Sequence, residues 1–123
     1  MKTEISKVVA NKLVDAMARG EATILNNLFT EDATMIINLP LEKPYGGTFN
    51  GRNAIIEGFI QRSMQLVRDG DTLTLTNIIA DESKVAMEWT QYDKTSGIPI
   101  HNYSVLLELT ESSIHYISVH VNT

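Results

Sequence analysis

Val85-Ala86-Met87-Glu88-Trp89-Thr90 places a large apolar side chain at every second position, the period of a strand with one face in a core and the other turned away from it. Working outward, Leu73, Leu75 and Ile79 interleave with threonines upstream, and turn signals stand at Ala80-Asp81-Glu82-Ser83, Lys94-Thr95-Ser96-Gly97 and Thr110-Glu111-Ser112-Ser113. Four strands result, the third over 98–109 and the last over 114–121, with links short enough to favour antiparallel neighbours. Before residue 71 the period is helical. Ile5, Val8, Val9, Leu13, Ala16 and Met17 form one stripe over 4–19, with Thr3 as N-cap and Gly20 as the stop. A shorter helix is predicted over 21–29, and a third from Arg52 to about Asp69, with Ile55, Ile56, Phe59, Ile60, Met64 and Val67 on one face. Between them lie a short strand, 33–39, and an irregular Pro- and Gly-rich loop over 40–51. Helices followed by strands specify an α+β domain in which a curved, mostly antiparallel sheet wraps around three helices as a half-open cone.

The 123 residues suit a single domain, 1–123, and a hydrophobic content of 43% is ample for one core. No apolar run approaches the roughly 20 residues that span a bilayer, and the first residues lack a secretory apolar region, so a soluble, cytoplasmic protein without membrane partners is expected. The absence of cysteine removes disulfide, thiolate and cysteine-metal chemistry. A net charge of −5 with no basic cluster argues against nucleic acid. The histidines show no helical i, i+4 pairing and no acidic partner at matching spacing, so no metal is expected, and no cofactor. Gly46-Gly47 and Gly51 lack the Lys-Ser/Thr pair of a phosphate loop. Asp69, Asp71, Asp81 and Glu82 read as solvated turn residues.

Four stretches, in this order, carry a family resemblance across nearly the whole chain: Leu28-Phe29-Thr30-Glu31-Asp32-Ala33-Thr34, the segment from Pro44 to Ile55 through Tyr45-Gly46-Gly47, the strand around Trp89, and Ile114-His115-Tyr116-Ile117. Together they resemble the nuclear transport factor 2-like superfamily, in its SnoaL-like and ketosteroid isomerase-like branches. The resemblance implies the cone fold, an apolar pocket inside it and a frequent dimer. It also implies where catalytic groups would stand: Leu13 and Ile37 occupy the oxyanion-hole tyrosine and catalytic aspartate positions, and Ser104, counted back from Ile114, falls near the protonated aspartate. Asn122 replaces the acidic residue common near the end of SnoaL-like cyclases. Ketosteroid isomerase or polyketide cyclase chemistry is therefore not expected.

Strand alternation, anchored on those correspondences, turns Leu13, Ile37, Val85, Met87, Trp89, Gln91, Asn102, Ser104, Leu106, Ile117, Val119 and Val121 inward. From this set, with Tyr45 at the mouth and Phe59 from the third helix, the expected ligand-binding residues are Ile37, Tyr45, Phe59, Met87, Trp89, Gln91, Asn102, Ser104 and Val119. That lining suits a small, mostly hydrophobic metabolite. The same residues would also make a filled core in which Asn102 bonds to backbone and Trp89 packs. His101, His115 and His120 are the candidate acid–base groups for an isomerase, lyase or hydrolase. His101 and His120 take the outward parity and His115 the rim, although a bulge of one residue would turn His101 or His120 inward. A third reading is a non-catalytic association domain, a homodimer through the outer face formed by Ala86, Glu88, Thr90, Tyr92, Tyr103, Val105, Leu107 and His120.

Overall fold

The computed structural model describes residues 2–38 and 47–122, with the side chains of 2 and 62–69 excepted. Three helices, α1 (Lys2–Arg19), α2 (Ala22–Leu28) and α3 (Arg52–Asp69), accompany β1 (Phe29–Asn38), β2 (Gly47–Asn50), β3 (Thr72–Asp81), β4 (Lys84–Tyr92), β5 (Pro99–Thr110) and β6 (Ser113–Asn122). The strands form one sheet in the order β2-β1-β6-β5-β4-β3. All pairs are antiparallel except β1 with β6, which run parallel, with one helix and four strands between them in the chain.

The helix over 4–19 begins two residues earlier than its capping signal suggests. Thr3 lies inside α1, and its Oγ1 accepts the Glu82 N–H at 3.0 Å instead of capping. Its neighbour Ser6, buried, donates to the Glu82 carbonyl, so the start of α1 is tied to the β3–β4 turn through both groups of one residue. The other end closes as predicted. Gly20, at φ 67°, donates to the Met17 carbonyl (3.3 Å) and Glu21 to that of Ala16 (2.9 Å), the paired bonds of a Schellman stop.

The predicted 33–39 strand starts earlier, at Phe29, and part of the predicted irregular loop is strand: Thr48, Phe49 and Asn50 of β2 pair with Ile36, Met35 and Thr34 of β1. Expectations for Tyr45 and for the side chains of Met64 and Val67 fall outside the described residues. The core lies between the inner face of the sheet and the helices, α1 against β3 and β4 and α3 against β1 and β2. Leu13, Leu25, Met35, Ile55, Phe59 and Trp89 are among its fully enclosed side chains. Among the described residues no helix is long and apolar enough to cross a membrane, and no group of three His, Asp or Glu side chains could hold a metal ion.

Candidate functional site

Facing residues on neighbouring strands share a side of the sheet, so pairing decides what the cone contains. β4 turns Val85, Met87, Trp89 and Gln91 inward, as its alternation requires. Its partners on β5 are Leu107 for Val85, Val105 for Met87 and Tyr103 for Trp89. Tyr103, Val105, Leu107 and Leu109 are therefore inside and buried, and the alternation expected for β5 is reversed. Asn102, Ser104 and Leu106 belong to the outer face; Ser104 is exposed and Leu106 is 38% exposed. They cannot line the cone. Tyr103, Val105 and Leu107 likewise leave the outer surface proposed for association.

The cause is a bulge. Leu109 pairs with Ile114, but Glu108 pairs with Tyr116, leaving His115 as the extra residue of β6. Counting back from Ile114 without that residue puts the wrong face of β5 inside. The displaced Asn102 has its own work outside. Its Nδ2 donates to the Trp89 carbonyl (3.4 Å) and to Thr90 Oγ1 (3.2 Å), while Asn122 Nδ2 donates to Asn102 Oδ1 (2.7 Å) and Ser104 Oγ (2.9 Å). This bonded row covers Thr90, expected on the outer face, so that it is 7% exposed.

Inside, the polar groups form a chain. Tyr103 Oη donates to Gln91 Oε1 at 2.7 Å, and Gln91 Nε2 donates to Asp71 Oδ2 at 2.9 Å. Tyr103 and Gln91 are each 8% exposed. Because the Asp71 carboxylate accepts only, it fixes the Gln91 amide with its oxygen toward Tyr103. Beside this chain Trp89 is 2% exposed, and its Nε1 has no partner among the described residues. A buried N–H left unpaired costs on the order of 1–3 kcal/mol. Ile37, Phe59, Met87 and Val119 are buried on the same side.

The three histidines separate. His101 shares the inward parity of Tyr103, contrary to expectation, and its exposed ring lies 6.2 Å from the Tyr103 ring at 55°. His120 is exposed on the outer face, as expected. His115, at the bulge, is half-exposed; its Nδ1 shares a 2.7 Å hydrogen bond with Thr110 Oγ1, and its Nε2 is 3.9 Å from Glu108 Oε1. Sequence reasoning missed Tyr103 and Asp71. The first had a signal, since Tyr103, Val105, Leu107 and Leu109 alternate without a break; the second, a turn residue twenty positions from Gln91, had none.

A six-stranded curved sheet closed over three helices, with an apolar inner face, defines the nuclear transport factor 2-like class. Solved structures share it at low identity. An NTF2-like protein of unknown function from Mesorhizobium loti has a TM-score of 0.77 at 15% identity, covering 100% of this chain and 95% of that one. A protein of the SnoaL-like family from Agrobacterium tumefaciens, provisionally described as an isomerase, scores 0.76 at 12% identity, covering 98% and 99%. A de novo designed protein with a curved β-sheet scores 0.76 at 16%, covering 99% and 88%, so the fold alone carries no activity. The SnoaL-like domain family matches residues 10–118, and the chain belongs to it. Among curated proteins none matches the chain.

Proposed function

We propose that this SnoaL-like protein binds a compact, mostly apolar small molecule inside its cone, with a carbonyl-type oxygen accepting from Trp89 Nε1. The observation that carries this reading is the buried indole N–H, without a partner among the described residues, beside a hydrogen-bond chain whose polarity Asp71 fixes. Apolar walls at Ile37, Phe59, Met87 and Val119 supply most of the binding energy, and the donor supplies orientation. Trp89 is the chain's one tryptophan, so both indole fluorescence and the single indole N–H resonance report on the site. Titration with a panel of small aliphatic, aromatic and cyclic ketones is expected to move that resonance downfield and to give contacts from the ligand to Tyr103. A resonance unmoved by every ketone, and by matched alcohols and hydrocarbons, refutes the pocket and leaves a filled core.

Acid–base catalysis is the second reading, favoured by the placement of His101 beside Tyr103 on the inner parity. An imidazole at that position can exchange a proton with a substrate carbon or oxygen held at the rim. It predicts that a bound ligand shifts the His101 ring resonances and that His101→Gln abolishes turnover while leaving binding intact.

A further inference from the structure

Asp71 stands where α3 gives way to β3. Gly70, at φ 74°, turns the chain there, and a Cβ at that position would come within 2.8 Å of Lys94 Cδ, so the Lys94 stem lies over the turn. Leu73 pairs with Gln91, and Asp71, two residues before Leu73, falls on the same face of the sheet. Its Oδ2 accepts from Gln91 Nε2 at 2.9 Å, while Gln91 Oε1 accepts from Tyr103 Oη at 2.7 Å. We propose, resting on the reading of Trp89 as a ligand donor, that Asp71 determines the specificity of that site. Acting through Gln91, it keeps the Tyr103 hydroxyl proton from the ligand, so that the cone takes an uncharged carbonyl compound and rejects the carboxylate of the same shape.

The polarity of the chain does the selecting. A carboxylate only accepts, so it takes the Gln91 amide N–H and leaves the amide oxygen for Tyr103. The phenol then donates to Gln91, and its proton is spent. With Gln91 and Tyr103 each 8% exposed, neither exchanges these partners for water. The Asp71 charge and the two bond dipoles are aligned, each with its negative end toward the interior of the cone, and aligned bonds polarise one another. A neutral ketone oxygen accepts from Trp89 Nε1 and brings no net charge toward that end. A carboxylate brings a full charge into a buried site, where repulsion is poorly screened, and finds no Tyr103 donor to offset its lost hydration. Asparagine at position 71 removes both obstacles. Its amide donates to Gln91 Oε1 as readily as it accepts from Nε2, so Gln91 can turn end for end, donate to Tyr103 Oη and release the phenol proton.

The test uses the full chain and two pairs of probes of nearly equal shape, acetophenone with benzoate and cyclohexyl methyl ketone with cyclohexanecarboxylate, each titrated against the Trp89 indole N–H resonance. The native chain is expected to bind a ketone and to reject its carboxylate. Asp71→Asn gains carboxylate affinity by roughly tenfold and changes ketone affinity by less than about threefold, whereas Asp71→Glu, which keeps the charge, still rejects the carboxylate. Circular dichroism confirms the fold of each variant. Without any ligand, the strongest nuclear Overhauser contacts of the Gln91 side-chain amide protons are expected to the Asp71 β-protons in the native chain and to the Tyr103 ring in Asp71→Asn. An Asp71 that only supports the structure would weaken ketone and carboxylate alike on substitution, and that result overturns the proposal. Equal binding of the two by the native chain overturns it as well, as do carboxylate binding by Asp71→Glu at the Asp71→Asn level and native Gln91 amide protons held against the Tyr103 ring. In those cases a ketone still moves the native indole resonance, and the ligand site stands. A native resonance unmoved by both ketones overturns the proposal, and one unmoved by the whole ketone panel takes the ligand site with it.

Discussion

Replacing Tyr103 by Phe and Gln91 by Leu, singly and together, tests the central hydrogen bond and the orientation of β5 in one experiment. The Tyr103 hydroxyl donates to Gln91 Oε1 at 2.7 Å, and both residues are only 8% exposed, so water cannot stand in for a lost partner. Tyr103→Phe leaves Gln91 Oε1 buried and unsatisfied, at a cost of about 1–3 kcal/mol. Gln91→Leu removes the acceptor and also releases Asp71 Oδ2, which is half-exposed and can take water, for about 1–2 kcal/mol. In the double variant neither group remains to be orphaned. The two costs then do not add, and a coupling of about 1–2 kcal/mol is expected. The measurement is urea unfolding of the four proteins followed by circular dichroism; by heat, each kcal/mol corresponds to roughly 3–5 °C for a domain of this length. Additivity within about 0.3 kcal/mol would refute the reasoning, because it would mean that Tyr103 does not meet Gln91.

Three further outcomes follow from the same structure. Val105→Asp buries an unpaired charge and prevents folding, whereas Leu106→Asp, one residue on but facing outward, costs less than about 1 kcal/mol; thermal melts of both separate the two orientations of β5. Ser6→Ala leaves the Glu82 carbonyl without its donor and lowers stability by about 1–2 kcal/mol in denaturant titration, an effect absent from Asn11→Ala at the exposed side of α1. The backbone N–H groups of Ser96 and Thr95, which donate to Asp93 Oδ1 at 3.1 and 2.7 Å, hold its carboxyl below the usual aspartate range. The ionised form is the one favoured in the fold, so its contribution to the hairpin is complete above that range and is lost as pH falls through the lowered value. The amide resonances of Thr95 and Ser96 should titrate with that low midpoint, and a midpoint at the ordinary aspartate value would contradict the turn geometry.

Much of the fold was legible along the chain because each element carries its own local signal. Periods of 3.6 and 2, Gly20 at the helix stop and the polar turns locate three helices and five strands to within a few residues. Missed were residues 29–32, where β1 begins under a sequence that reads as the end of a helix followed by a polar break, and β2, whose four residues are strand only because β1 lies beside them. Within the site, β4 was read correctly because its outer positions, Ala86, Glu88 and Thr90, contrast with Val85, Met87 and Trp89. On β5 the contrast is weaker, since Leu106 and Ile100 interrupt the polar set, and its orientation depends on the count across the β5–β6 hairpin. The unpaired His115 shifts that count by one and exchanges the faces.

The sequence by itself determined the class of fold, the SnoaL-like likeness and an inner face built on Ile37, Met87, Trp89 and Val119, because side-chain period and turn chemistry act over a few neighbouring residues. Only the tertiary structure decided that Tyr103 faces inward, that Asp71 reaches Gln91, that Trp89 Nε1 has no partner among the described residues and that α1 and α2 leave a groove between them. Those four facts depend on a bulge and on contacts between elements far apart in the chain, and no local pattern encodes the distance between two residues that the fold alone brings together.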